Sequence, residues 1–248
     1  TALVMPIYNE NPDRVVAGIE AIYTSLAATG EIAHFDFFVL SDSTHDDIAA
    51  EEERRWAAAC RKLGAEGRMF YRRRQRNIGR KAGNIADFCR NWGAAYESMI
   101  VLDADSIMSG PTIVELVRLM EANPSAGLIQ TLPMPVNQTT FFARCLQFAG
   151  RLYSPVLAHG VSFWQIDESN YWGHNAIIRT RAFTEHCGLP TLPGKPPFGG
   201  EILSHDFVEA ALLRRAGWFV YFEPDLGGSY EELPANIIDY ATRDRRWC

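Results

Sequence analysis

The sequence predicts an α/β fold, a mainly parallel, Rossmann-like sheet flanked by helices, and two observations predict it. Short apolar runs alternate with longer stretches of helical periodicity through roughly the first half of the chain. Strands separated by helices must be joined by crossovers, which leave neighbouring strands parallel. Polar and acidic residues also gather where those runs end: Asn9 and Glu10, then Asp42, then Asp103 and Asp105. Open α/β sheets bind ligands beyond the carboxyl ends of their strands, so this convergence marks a site.

Taken in order, "TALVMPIY" is a strand followed by a helix from Pro12 to Ala28, with Asn11 as its cap and Pro12 in its first turn. "FDFFVLSDS" is the second strand, and a helix from Asp46 to Leu63 follows it. "GRMFYRRR" precedes a helix from Gly83 to Tyr96, "SMIVLDADS" precedes one from Pro111 to Glu121, and "AGLIQTLP" is another strand. Residues 137–166 are aromatic and helical with a break at Pro155, either lying on a membrane surface or forming a buried helix pair. "YWGHNAIIRT" predicts a strand at the sheet edge, and "LPTLPGKPPFGGE" a loop of the kind that covers a site. "SHDFVEAALLRRAG" reads as a helix capped by Ser204, and "WFVYFEPD" as a last strand. One domain is expected over residues 1–248, with residues 1–135 as its nucleotide-binding half.

Composition narrows the function. A hydrophobic content of 47% supports a full core, and a net charge of −6 argues against a surface that coats nucleic acid. Five cysteines with no C-x-x-C pair fit neither a disulfide framework nor a zinc site. No apolar run approaches the roughly 20 residues of a membrane span. The chain opens directly on a strand and stops at "RDRRWC", which reads as a piece cut from a longer protein. "MPIYNENP" lacks the glycines of a dinucleotide fingerprint and no G-K-[ST] phosphate loop occurs, so a nucleotide is held some other way.

Several groups could carry chemistry. Asp103 and Asp105 flank Ala104 in a segment expected to be extended, where residues two apart face one side and can share an ion. Mg²⁺ or Mn²⁺ takes one or two carboxylates plus substrate phosphates; turn chemistry before Pro111 accounts for the pair equally well. Asp42 either caps the following helix or binds a base or ribose. The basic island "YRRRQRNIGRKAGNIADF" would usually read as a solvated run or a nucleic-acid patch, yet Arg80, Lys81, Gly83 and Asn84 stand where a loop enters a helix, a geometry suited to anions. Lys81 could meet a diphosphate there, with Gly83 allowing close backbone approach. Asp206 is either a first-turn acid favoured by the helix dipole or a general base. His205 beside it could be a base instead, but a lone histidine there reads first as an exposed helix-start residue. Arg243, Arg246 and Trp247 form a cationic, stacking end to the chain.

In this order the residues resemble the processive members of glycosyltransferase family 2, the cellulose- and hyaluronan-synthase type. That family runs through an Asp after the second strand, K-A-G-N, D-x-D, T-E-D and Q-x-x-R-W. Here the same order reads Asp42, Lys81-Ala82-Gly83-Asn84, Asp103-Ala104-Asp105, Ser204-His205-Asp206 and Arg243-x-x-Arg246-Trp247. "YWGHNAIIR" stands where the family lines its acceptor path. His205 replaces the middle Glu of T-E-D, and Arg243 replaces the Gln of Q-x-x-R-W. These variants and "LSHDFVEAALLRRAGW" look most like the branch that builds osmoregulated periplasmic glucans.

The resemblance implies a GT-A-type fold, residues 136–248 as an acceptor-binding half, and a UDP-glucose donor. It further implies a β-1,2-linked glucan acceptor and product, and a parent protein with membrane-spanning parts in a bacterial inner membrane. By the same resemblance Asp206 is the catalytic base, and Asp105 with Asp103 holds Mg²⁺ (or Mn²⁺). Asp42, Lys81, Asn84 and Asp103 bind the donor; Arg243, Arg246 and Trp247 meet the acceptor or diphosphate. A nucleotidyltransferase acting on sugar phosphates and a non-catalytic UDP-sugar-binding domain are the rival readings.

Overall fold

The structure is a computed structural model that describes residues 1–195 and 199–245. Ten strands and eight α-helices are assigned among these residues. They are β1 (Ala2–Ile7), α1 (Pro12–Ala27), β2 (Asp36–Ser41), α2 (Asp46–Leu63), β3 (Met69–Arg73) and α3 (Arg80–Asn91). Then come β4 (Ser98–Val101), β5 (Ile107–Met108), α4 (Gly110–Ala122), β6 (Ala126–Thr131), β7 (Met134–Pro135) and α5 (Phe141–Gln165). The chain continues with β8 (Ala176–Arg179), α6 (Thr180–His186), α7 (His205–Arg215), β9 (Phe219–Glu223), β10 (Ser229–Glu231) and α8 (Ile237–Asp244).

Seven strands form the main sheet in the order β3-β2-β1-β4-β8-β6-β9. Every pairing is parallel except those of β8, which runs antiparallel to both β4 and β6. The expectation that residues 171–180 form an edge strand is therefore overturned. Ala176, Ile177 and Ile178 are fully buried, and an apolar run of that kind belongs between two strands with both faces covered. The edges are β3 and β9 instead. A second, three-stranded sheet β5-β10-β7 lies outside the first.

Alternation along β1 builds two cores. Leu3, Met5 and Ile7 face α1 and α4, meeting Ile19, Ile22, Ile113 and Leu116. Ala2 and Val4 face the opposite layer, with Ile85, Phe88, Ile178 and Leu213. Both faces are covered because a parallel strand exposes neither to water. The cap on α1 is as expected: Asn11 Oδ1 accepts from the backbone N–H groups of Asp13 and Arg14 at 2.9 and 3.2 Å.

Two helices depart from expectation. The third starts at Arg80, about one turn earlier than Gly83, and ends at Asn91 with a short 3₁₀ turn over Gly93–Ala95. The fifth runs unbroken through Pro155. The carbonyl that the proline leaves unbonded, on Arg151, lies on an exposed stretch where water can serve it. That helix is no buried pair: only Ala143 and Ala158 are buried, while Phe141, Phe163 and Trp164 are more than four-fifths exposed.

Candidate active site

The neighbouring strands β2, β1 and β4 end together, and their following residues interlock. Asn9, with φ +57°, receives the backbone N–H of Thr44 on its Oδ1 at 3.0 Å and gives its own N–H to Ser43 Oγ at 2.8 Å. Glu52 reaches from α2 to accept from Ser41, Ser43 and Tyr71. The mouth of the sheet is thus a braced rim.

Asp42 is buried in that rim, and Arg74 takes both of its oxygens, Nε to Oδ1 at 2.7 Å and Nη2 to Oδ2 at 2.6 Å. Neighbouring cations of the basic island are also paired: Arg72 with Asp87, Arg73 with Asp46 and Arg80 with Glu201. Such neutralisation removes the free positive stripe that a nucleic-acid backbone needs. Glu201 also receives the backbone N–H of Gly79 at 2.8 Å, so the chain at Glu201 meets the start of α3.

Within α3, Asn84 is 1% exposed and its Nδ2 donates to Leu40 O at 2.9 Å. Its Nδ2 pins the helix to the end of β2, while its Oδ1 has no hydrogen-bond partner among the described residues. Gly83 is likewise occupied: a Cβ there would lie 2.0 Å from the Ile78 carbonyl oxygen. The close approach that Gly83 allows is made by the chain itself.

Asp103 and Asp105 are not in extended backbone. Residues 104 and 105 form a turn, with Ser106 N–H donating to Asp103 O at 3.0 Å and Ser106 Oγ accepting from Asp103 N at 3.1 Å. Strand alternation therefore does not bring the carboxylates together; an i to i+3 turn closed by Ser106 does. Lys81 Nζ donates to Asp103 Oδ1 and, at 2.7 Å, to Gly173 O. Burial by itself would raise the Asp103 carboxyl, but Lys81 and then His174 outweigh it and hold it below the ordinary range. Asp105 keeps a solvent-facing edge, yet the protein around it and then the Asp103 charge push its carboxyl up.

Two crowded carboxylates at a solvent-open turn are a hard-oxygen donor set, and a divalent cation would relieve their repulsion. Among the described residues, no group of three or more His, Cys, Asp or Glu is arranged to hold an ion alone. The pair fits a Mg²⁺-type ion completed by substrate phosphates, and not a zinc cage.

Asp206, on the first turn of α7, is buried. Ser204 does not cap this helix. Its φ of −91° and ψ of 62° turn the hydroxyl away from the free amides, and Oγ donates to Asp206 Oδ1 at 3.3 Å instead. That oxygen also accepts the Phe207 N–H at 3.1 Å. The other faces Gly173, whose φ is +89°: a Cβ added there would lie 3.3 Å from Asp206 Oδ2 and 3.6 Å from Lys81 Nζ. Asp206 and Lys81 therefore flank one glycine, and Asp103 joins them through Lys81.

Residues that sequence reasoning did not single out complete this ring. Ser106 Oγ lies 3.3 Å from His174 Nδ1, and His174 Nε2 lies 3.5 Å from Glu231. Arg243 reaches the same end from α8: its charge acts on the Glu231 carboxyl, and its guanidinium sits 6.0 Å from the Tyr240 ring. Arg246 and Trp247 lie outside the described residues.

A family model described as Glycosyl transferase family 2 matches residues 2–187. The chain belongs to glycosyl transferase family 2. This family 2 domain is 59% identical over all 248 residues to the "Glucans biosynthesis glucosyltransferase H" of Xylella fastidiosa (strain 9a5c), spanning 39% of that relative's length. It is equally identical to the protein of that name from Dickeya dadantii (strain 3937), of which it spans 29%. The domain thus covers well under half of these relatives. Among solved structures, S. aureus TarS 1-349 in complex with UDP-GlcNAc superposes with a TM-score of 0.57 over 95% of this chain and 59% of that one. At 14% identity that likeness concerns the fold alone. The fold is GT-A-like, a mostly parallel central sheet with flanking helices.

Proposed function

We propose that this domain transfers glucose from UDP-glucose to a growing β-glucan, the β-1,2-linked backbone of osmoregulated periplasmic glucans, with inversion at the anomeric carbon. The observation that carries the reading is that Asp206 and Lys81 meet at Gly173, with Lys81 also bonded to Asp103. It links a carboxylate with a free edge to the acidic turn through the Lys81 ammonium. The names of the two relatives support the glucan and the glucosyl group.

In this mechanism Asp206 Oδ2, the oxygen with no hydrogen-bond donor among the described residues, takes the proton from an acceptor hydroxyl as that oxygen attacks the anomeric carbon. The glycosidic bond forms on one face while the bond to the UDP diphosphate breaks on the other, so configuration inverts without a covalent enzyme intermediate. Asp105 and Asp103 would hold Mg²⁺ or Mn²⁺, which when bound supplies charge neutralisation at the departing diphosphate. Lys81 steadies Asp103 and the phosphates beyond it. Asp42, locked by Arg74, offers the uridine a fixed rim. Arg243, with Arg246 and Trp247, serves the acceptor or diphosphate side. The site lies on the cytoplasmic face of a bacterial inner membrane, in a parent chain that carries membrane-spanning parts.

The test uses the full-length parent in membranes, with Mg²⁺ and a panel of UDP-sugars, followed by linkage analysis of the product. UDP release from UDP-glucose with a β-1,2 product is expected; pyrophosphate release would make the domain a nucleotidyltransferase. Asp206→Asn should lower turnover by at least about 10³-fold with UDP binding retained. Wild-type turnover in that variant removes Asp206 as the base.

A further inference from the structure

Strand β6 is buried along its whole length, yet its last two residues, Gln130 and Thr131, are polar. A buried amide costs folding free energy unless each of its polar groups is bonded. Gln130 directs its amide at the segment before β8. Oε1 accepts the backbone N–H of Trp172 at 3.1 Å, and Nε2 donates to His174 O at 2.9 Å and to Thr131 O at 3.0 Å. A backbone N–H only donates and a carbonyl only accepts, so the amide has one workable orientation. Turned over, it would set donor against donor and oxygen against oxygen.

The residue between those two anchors is Gly173. A loop glycine left to itself samples both signs of φ, whereas here φ is +89°. With Trp172 held by its N–H and His174 by its carbonyl, that freedom is closed from both sides. Asn175 is fixed separately: its N–H donates to Val101 O at 2.7 Å, and its carbonyl accepts the Thr131 N–H at 3.1 Å. The Trp172 ring packs edge-on against Phe222 of β9, with centroids 4.8 Å apart. Gly173 in turn gives its carbonyl to Lys81 Nζ at 2.7 Å and its open α-carbon side to Asp206.

We infer that Gln130 is a positioning residue for the proposed transfer: by holding Trp172 and His174 it fixes Gly173, and through Gly173 the placement of Lys81 against Asp206. This rests on Asp206 being the base of that transfer. Gln130 itself is fully buried in β6 and acts through the backbone it holds. With methionine in its place, Trp172 N–H and His174 O lose their partner and the segment is free to turn at Gly173. Lys81 and Asp206 then keep their own chemistry but lose their spacing, and a misplacement of about 1 Å can cost about 10²-fold in rate.

The experiment uses the full-length protein in membranes with UDP-glucose and Mg²⁺, and expresses kcat per UDP-binding site so that only folded copies count. In Gln130→Met, kcat should fall about 10²-fold, with KM for UDP-glucose and UDP affinity within about twofold of wild type. Among the described residues Gln130 bonds to none of Asn9, Asp42 and Arg74, so the nucleotide rim is left alone. Gly173→Ala should lower kcat likewise, and the double variant should fall no more than about threefold below the lower single, because both changes act on one glycine. Ser229→Ala is the control: it removes the hydroxyl that Thr131 and Asn175 share, at 2.9 and 2.7 Å, and leaves residues 172–174 bonded. Its kcat should stay within about threefold of wild type. Losses that multiply in the double variant, or an equal loss in Ser229→Ala, make Gln130 structural and overturn the inference. If Gln130→Met does not accumulate, Gln130→Glu decides: its carboxylate keeps the bond from Trp172 and sets an oxygen against His174 O, and kcat should fall at least about tenfold. Failure of both to accumulate, while Ser229→Ala does, overturns the inference in the same way. Wild-type protein that consumes no nucleotide sugar overturns the proposed transfer and this inference with it, whereas active wild type beside a Gln130→Met of unchanged kcat overturns the inference alone.

Discussion

Replacing Gly83 by alanine separates two reasons for a glycine at this position. A Cβ there would lie 2.0 Å from the Ile78 oxygen and 2.9 Å from its carbon, both backbone atoms that cannot swing aside like a side-chain tip. The same carbonyl accepts from Arg74 Nη1 at 3.0 Å, and Arg74 holds both oxygens of Asp42. Displacing it therefore loosens the rim as well as the helix start. Overpacking of this kind costs about 1–3 kcal/mol, and a weakened bond to a charged donor adds about 1.5 kcal/mol. Alanine returns about 1 kcal/mol of helix propensity. The net is about 2 kcal/mol of destabilisation, a fall in Tm of about 4–8 °C for a chain of this size. Thermal unfolding of the purified 1–248 chain, followed by circular dichroism, reads it directly, and UDP affinity should fall in parallel through Asp42. An unchanged or higher Tm in Gly83→Ala refutes the packing account. Unchanged Tm with weakened UDP binding would return the glycine to the ligand.

Lys81→Met should destabilise by only about 1 kcal/mol, because the partner carboxylate of Asp103 is more than a third exposed and solvent screens the pair. The pH dependence is the sharper readout. The lowered Asp103 carboxyl contributes stability that is present above the ordinary aspartate range and lost as pH falls through its depressed value. Urea unfolding from neutral to acid pH should show a shallower loss in Lys81→Met than in wild type. Burial pushes the Cys60 and Cys89 thiols up to about 11, so almost no thiolate exists at neutral pH, while Cys145 is exposed. Alkylation of the native protein followed by peptide mapping should mark Cys145 well ahead of Cys60 and Cys89. Equal labelling would mean that the core opens.

The parallel half of the sheet was legible because each strand there is a short apolar run between two amphipathic helices, and crossover connections leave few alternatives. Residues 171–180 misled because nothing local distinguishes an edge strand from an antiparallel strand inserted between β4 and β6; only the full burial of Ile177 and Ile178 does. Pro155 misled because a proline's cost depends on whether water reaches the carbonyl it frees, which is a tertiary fact. At the site, ordered motifs located Asp42, Lys81, Asp103 and Asp206, yet their immediate partners were hidden. Arg74 and Gly173 belong to an ordinary basic run and a loop, and nothing in their spacing marks them.

Gly173 explains why residues so far apart in sequence can act as one site. Its carbonyl takes the Lys81 ammonium, and its α-carbon leaves room for the Asp206 carboxylate. A positive φ of +89° lets the backbone present both sides at once, a conformation that side-chain-bearing residues rarely hold. Any larger residue would meet Asp206 Oδ2 at 3.3 Å and Lys81 Nζ at 3.6 Å while being strained itself. In the proposed transfer, one residue of backbone would therefore stand between Asp206, on the proton-accepting side, and Lys81, on the leaving-group side. Inverting transfer needs such a fixed separation, since the attacking oxygen and the departing diphosphate must flank a single carbon from opposite faces.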